Sequence, residues 1–235
     1  YMEYRISVRN LVEFILRSGD LDNRQGSGPD REAMQKGSRL HRKIQKAQKS
    51  GYQSEVPLVY IQEYTEYSIK FEGRADGIIT DPDGHIRIDE IKGMYRDVTK
   101  LTEPIPVHLA QAKCYAYMYG RDKQLETIGV RMTYANLETE TIVCLEREYT
   151  WSELECWFLD LIEKYHTWVE FSWQWRNTRN ASMQGLEFPF PYRKGQREIV
   201  SSVYRTILRK KQLFIQAPTG VGKTMSVMFP ALRAC

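Results

Sequence analysis

Apolar and polar positions recur along the chain with two periods, and the changes between them mark out the elements. Ile6, Leu11, Phe14 and Ile15 fit one face of a short amphipathic helix over residues 6–17. Residues 19–29, rich in Gly, Asp, Asn and Ser, read as a loop. Asp30 is placed to cap a helix running to about Lys49, with an inward stripe of Met34, Gly37, His41 and Ile44. Strands follow at about 55–62 and 66–72, and then a hairpin over 73–93. Helical period returns at 107–119 and stops at Gly120. Two more strands, about 127–134 and 141–147, flank a turn near Asn136. Thr150-Trp151-Ser152-Glu153 reads as a capping box that opens a long helix to about Trp175, most of whose aromatics are expected in a core. Residues 177–187 read as a linker, followed by a helix at 194–209, a strand at 211–217, a glycine loop and a helix start.

The hairpin is the most informative stretch. Pro82 and Asp83 suit the centre of a type I turn, and Gly84 the left-handed residue after it. That loop pairs Asp81 with His85, so Ile78 faces Ile88 and Asp76 faces Glu90. Alternation then gathers Asp76, Ile78, Ile86, Ile88, Glu90 and Lys92 on one face. A four-residue loop would instead put Asp76 opposite Asp89. Opposed side chains have β-carbons about 4.5–5.5 Å apart, and two carboxylates repel by roughly 4 kcal/mol at 4 Å with an effective dielectric near 20. A divalent cation between them turns that repulsion into binding, and oxygen ligands suit Mg²⁺ or Mn²⁺. Lys92 is then placed to polarise water or stabilise developing negative charge. The alternative is a solvated hairpin end, with Lys92 simply pairing with the acids.

Composition narrows the class little. The chain has 235 residues, 42% hydrophobic and 27% charged, with a net charge of +4. A nucleic-acid partner therefore has to be argued from local patches. No apolar run approaches the roughly 18 residues of a membrane span, and no secretory signal pattern opens the chain. Cys114, Cys144, Cys156 and Cys235 lack metal-binding spacing and fit reduced thiols in a cytoplasm. The helix of residues 31–49 carries many cations, among them Arg39, Arg42, Lys43 and Lys46, against the single acid Glu32. These are candidate phosphate contacts, although a charge run is more often a solvated face.

His41 shares its stripe with Met34 and Ile44, where a histidine is more often a satisfied core residue than a ligand. Gly37, one turn earlier, would let the helix approach a sheet closely. Gln111 and Tyr115 are i, i+4 neighbours on one helix face. Taken in order, GxxxH (Gly37, His41), ExP (Glu55, Pro57), GRxD (Gly73, Arg74, Asp76), ExK (Glu90, Lys92) and QxxxY (Gln111, Tyr115) resemble the RecB-like branch of the PD-(D/E)XK nucleases over about residues 1–150. The resemblance implies an α/β, restriction-endonuclease-like fold: a central mixed sheet flanked by helices. It implies that His41, Asp76 and Glu90 bind the metal, that Lys92 assists the attacking water, and that Gln111 and Tyr115 place the DNA. Some relatives hold an iron–sulfur cluster with one early and three late cysteines. Here no cysteine precedes Cys114, so no such cluster is expected.

Residues 217–224, Ala-Pro-Thr-Gly-Val-Gly-Lys-Thr, follow an apolar run and have the form of a phosphate loop. Backbone N–H groups around Gly220 and Gly222 would cradle phosphates, Lys223 would reach the β/γ oxygens, and Thr224 would bind Mg²⁺. Upstream, Phe190 to Gln196 resembles the adenine-reading segment of DinG/XPD-type superfamily 2 helicases, which implies that Arg193 and Gln196 contact the base. The expected organisation is a nuclease domain over residues 1–176, a linker, and the truncated start of a P-loop helicase motor over 188–235. ATP would serve the full-length motor. The leading expectation is a metal-dependent nuclease, acting as an exonuclease on single-stranded DNA, within a longer nuclease–helicase. A non-catalytic DNA-loading module for the motor is the alternative.

Overall fold

A computed structural model describes residues 1–18, 31–48 and 50–234. Contacts divide the chain into two compact units, Tyr1–His166 and residues 167 onward. The first unit is a mixed α/β structure built on a six-stranded sheet. Its elements are β1 (Met2–Ser7), α1 (Val8–Ile15), α2 (Arg31–Lys46), β2 (Tyr52–Glu63), β3 (Tyr67–Thr80), β4 (Ile86–Met94), α3 (Pro106–Lys123), β5 (Thr127–Asn136) and β6 (Ile142–Thr150). The helix α4 (Trp151–Gln184) follows.

β3 organises the sheet. Along one edge it pairs antiparallel with β2 over residues 68–79. Along the other it pairs first with β1, parallel, over 67–72, and then with β4, antiparallel, over 77–80. Residues 73–76 lie in the fork between those two partners. β4 continues parallel to β5, and β5 antiparallel to β6. Along β4 the pleat sends Asp89 and Ile91 to one face and Glu90 and Lys92 to the other. α2 covers the first face, where Leu40 and Ile44 pack with Ile91 and Ala135. α3 covers the second, where Gln111 meets Lys92. The sheet is thus flanked by helices on both sides.

The turn chemistry of the hairpin explains its register. Asp81 N–H donates to His85 C=O, Gly84 N–H donates to Asp81 C=O, and Gly84 takes a φ of 87°. Thr80 pairs with Ile86, Ile78 with Ile88 and Gly77 with Asp89, as the three-residue loop requires. The ladder then stops, one residue short of a direct Asp76–Glu90 pair.

Several elements differ from the sequence reading. Residues 2–7 form a strand rather than the start of a helix, and Ser7 caps α1 by accepting from Asn10 N–H. Asp30 and the 19–29 loop lie outside the described residues. Met34 is 59% exposed instead of facing the core, and the buried stripe of α2 is Leu40 and Ile44. Gly37 is no close-packing position, since a β-carbon there would meet nothing within 4 Å. α3 runs past Gly120 and ends at Gln124, which is left-handed with φ 56°. Gly120 instead gives room to Trp151, whose ring lies 3.0 Å from where a β-carbon would stand. α4 continues through Gln184, so most of the expected linker is helix. Its buried face is Leu154, Phe158, Leu161 and Ile162, while Trp168, Phe171 and Trp175 are exposed.

In the second unit, α5 (Gln196–Leu208) and α6 (Lys223–Arg233) pack together. Residues 211–217 are not a strand, and Phe214 is 92% exposed. An extended segment becomes a strand only beside another, and among the described residues none pairs with it.

Candidate active site

A cavity of about 1070 Å³ opens at the fork of β3. α1, α2 and α3 supply its walls and the end of β4 its floor, and it is lined by His41, Asp76, Glu90, Lys92 and Gln111 among others. The fork explains why Asp76 reaches it. With no ladder partner on that edge, the Asp76 carboxylate accepts from Ile91 N–H at 2.8 Å. Its own carbonyl is taken by the Gln45 side chain at 2.9 Å. Gln45 also donates to Glu55, which stands in β2 with a φ of 59°. A left-handed glutamate inside a strand costs of order 1–3 kcal/mol, strain that tends to sit at functional sites. Glu55 in turn pairs with Arg74.

His41, one turn before Gln45 on α2, also faces Asp76. Its Nε2–H donates to the Ile91 carbonyl at 2.7 Å, and its Nδ1 faces Asp76 Oδ1 at 3.7 Å. The carbonyl bond fixes a proton on Nε2 and turns Nδ1 toward the carboxylate. Glu90 is fully buried. One of its oxygens meets Lys92 Nζ at 2.9 Å; the other, Oε2, has no hydrogen-bond partner among the described residues. Lys92 also donates to Gln111 Oε1 at 2.9 Å, and the Gln111 amide N–H reaches Tyr115 hydroxyl at 3.4 Å. Gly73 makes this possible: a β-carbon there would lie 2.6 Å from the Tyr115 hydroxyl.

Burial raises the Asp76 carboxyl above its ordinary range, against the pull of His41, the Ile91 N–H and Lys92. Glu90 is pushed up to about 8, by burial first and then by Asp76, with Lys92 opposing. Burial, reinforced by Glu90, raises the Tyr115 phenol. Burial makes both neighbouring carboxyls costly to ionise, and a bound cation is one of the groups that would favour their charged forms.

The residues present fit a hard divalent cation. An orphaned buried carboxylate oxygen, a second carboxylate and an imidazole whose far N–H is fixed by a backbone carbonyl form a coherent donor set. They are not drawn into a closed cluster: among the described residues no three His, Cys, Asp or Glu side chains meet at metal-binding separation. His41 and Asp76 approach one another, while Glu90 turns to Lys92.

The expected basic face divides. Arg42 lines the cavity and donates to the Ser38 carbonyl. Lys43 pairs with Glu140, and Arg39 and Lys46 do not line the cavity. The cations that do line it include Arg9 and Arg74, from α1 and β3. The sequence reading also missed Asp89. It is fully buried, gripped by Arg131 through two bonds of 3.0 and 2.8 Å, and further bonded by Thr133 and Tyr52. Nothing local to Asp89 signals partners that lie some forty residues away on both sides.

In the second unit Arg193 and Gln196 converge on the glycine loop, through bonds to the Gly220 and Gly222 carbonyls. Lys223 folds back on the Ala217 and Pro218 carbonyls at 3.0 and 3.1 Å, and Thr224 is exposed. Gly220 and Gly222 have φ of 85° and 83°.

No family model matches the chain. The curated protein "Probable ATP-dependent helicase MJ0942" of Methanocaldococcus jannaschii is 43% identical over 47 residues, 20% of this chain and 7% of that protein. This chain therefore matches only a small part of that protein's length. Among solved structures, SSO0001 is similar with a TM-score of 0.44 and 21% identity, covering 69% of this chain and 77% of that one. An alkaline exonuclease (LHK-Exo) from Laribacter hongkongensis is similar with a TM-score of 0.42 and 14% identity, covering 74% and 94%. Among the described residues no helix is long and apolar enough to cross a membrane.

Proposed function

We propose that the first unit is a divalent-metal-dependent deoxyribonuclease, acting as an exonuclease on single-stranded DNA. The observation that carries this reading is Glu90: a fully buried carboxylate beside Asp76, with one oxygen on Lys92 and the other orphaned on the cavity wall. A binding module for anionic DNA gains nothing from buried acids at its centre, whereas phosphodiester hydrolysis needs them. Held by Asp76, Glu90 and His41, Mg²⁺ or Mn²⁺ would lower the pKa of a bound water and stabilise the charge developing on phosphate oxygens.

The remaining roles belong to the chain itself. An ammonium has three N–H donors. Glu90 and Gln111 accept two from Lys92, which leaves one for the attacking water or a phosphate oxygen. Gln111 fixes the lysine and is in turn steadied by Tyr115. Arg42, Arg9 and Arg74 line the same cavity and supply positive charge for the strand backbone.

The test is cleavage of labelled single- and double-stranded DNA with Mg²⁺, Mn²⁺ or EDTA, on the protein and on Lys92→Ala. Metal-dependent cutting that is lost in the variant is expected, with a product ladder that starts from an end. No cutting with any metal by folded, DNA-bound protein would favour the loading module instead.

For the second unit, the convergence of Arg193, Gln196 and Lys223 on one glycine loop favours a nucleotide-binding element of a longer helicase motor. There Gly220, Gly222, Lys223 and Thr224 would hold the phosphates of ATP, and Arg193 and Gln196 the base. ATP hydrolysis by a longer protein, abolished by Lys223→Ala, tests this; hydrolysis that survives the substitution would refute it.

A further inference from the structure

Beyond the reacting groups, one side chain on the cavity wall has no structural employment. Tyr95 lines the cavity and is 46% exposed. Among the described residues its ring and hydroxyl make none of the hydrogen bonds, ring contacts or cation–π contacts found elsewhere in the protein. Single exposed apolar residues need no explanation. What distinguishes Tyr95 is how firmly its backbone is held.

Asn136, buried at the end of β5, donates through its side-chain amide to the carbonyls of Tyr95 and Arg96 at 3.2 and 3.0 Å. Its side-chain oxygen accepts from Glu138 and Thr139 N–H, both at 2.8 Å. Leu137 N–H adds a bond of 2.9 Å to the Met94 carbonyl. Gly93 lets Leu137 close in, since a β-carbon there would stand 2.7 Å from that side chain. The end of β4 is thereby bolted to the β5–β6 turn, and an idle aromatic ring is presented from a fixed base. Tyrosine ordered through only two side-chain torsions offers a large contact area at small entropic cost.

Its position gives the ring a use. Tyr95 follows Lys92 by three residues, in the bend just past the end of β4, so the two lie within roughly 10 Å of chain, a span of a couple of nucleotides. Arg42 lines the same cavity from α2, and no carboxylate partner is found for it among the described residues. A cation for phosphate and a rigid aromatic for a base are the two parts of a single-strand binding groove. In a duplex the base faces are already stacked on one another, so a tyrosine ring can take only an unpaired base.

We propose that Tyr95 is a stacking platform for an unpaired base of the strand entering the cavity, and that it selects single-stranded over duplex DNA. This deepens the nuclease reading and rests on it for the identity of the strand. Binding read in EDTA, where no metal-dependent cutting occurs, separates the two. The measurement is fluorescence anisotropy of a labelled oligothymidylate and of a duplex of equal length, for the wild type, Tyr95→Ala and Tyr95→Phe.

Tyr95→Ala is expected to weaken single-strand binding about 5- to 100-fold and to leave duplex binding unchanged, while Tyr95→Phe stays close to wild type. Unchanged single-strand affinity in Tyr95→Ala, or an equal loss for single strand and duplex, would overturn the platform. The Lys92→Ala cleavage assay judges the nuclease reading by itself. A selective Tyr95 effect in a protein that cuts nothing would leave the platform standing and remove the nuclease.

Discussion

Asp89 and Glu90 are consecutive in β4 and both fully buried, yet among the described residues Asp89 has both oxygens paired and Glu90 only one. The pleat accounts for it. Asp89 falls among Arg131, Thr133 and Tyr52 on the α2 side, and Glu90 faces the cavity on the α3 side. Breaking a buried ion pair by removing one partner costs about 3–5 kcal/mol. Asp89→Ala is therefore expected to lower the unfolding free energy in urea by that amount. Glu90→Gln is expected to leave the urea midpoint near wild type and to abolish cleavage. Equal destabilisation by both would contradict the division of labour.

His108 lines the cavity with its Nδ1 buried and unpartnered among the described residues, and its pKa is pushed down to about 4. Burial is the main cause, followed by the cations Lys92, Arg96 and Arg9, with Glu13 opposing. An unfolded chain protonates this ring near 6.5, so between 6.5 and 4 the unfolded state binds the extra proton. The stability contributed by neutral His108 is complete above the upper value and drains away as pH falls toward the lower one. The loss is about 1–2 kcal/mol once solvent screening is allowed for. Urea titrations near neutrality and near pH 5 should show a smaller acid loss in His108→Leu than in wild type.

Gly73 exists to admit the Tyr115 ring, whose Cε1 would stand 2.7 Å from an added β-carbon. Gly73→Ala is expected to destabilise by about 1–3 kcal/mol through overpacking. Displacing Tyr115 also releases Gln111, and with it Lys92, so cleavage should fall about tenfold or more at temperatures where the protein stays folded. Full activity in a folded Gly73→Ala protein would show that the Tyr115–Gln111–Lys92 chain does not position the lysine.

Among the described residues Lys223 bonds only its own loop, through the Ala217 and Pro218 carbonyls. Lys223→Ala is accordingly expected to leave metal-dependent DNA cleavage by this chain unchanged. A fall in cutting rate would mean that the glycine loop acts on the nuclease chemistry, which nothing in either unit suggests.

The hairpin was legible because its information is local. Asp81, Pro82, Asp83 and Gly84 dictate the loop, the loop dictates the register, and the register sets Glu90 and Lys92 on the face that Asp76 approaches. The helical partners of Lys92 were legible only as an ordered set of motifs. The grip on Asp89 was hidden because Arg131 and Tyr52 are distant in sequence and carry no signature of their own. Met2, Tyr4 and Ile6 do alternate as a strand should, but the helix after Ser7 masks so short a period. At 211–217 the apolar run promised a strand, and propensity cannot supply a neighbour to pair with.

The change of partners along β3 also governs when the site can come into being. β1 must dock on residues 67–72 and β4 on 77–80 before the fork between them exists. β4 in turn leans on β5, more than forty residues further on. A chain still emerging from the ribosome thus carries Asp76 and Glu90 apart, and the two acids meet only when the later strands close the sheet. Under the proposed function, synthesis itself would act as a safety catch on the cleavage chemistry.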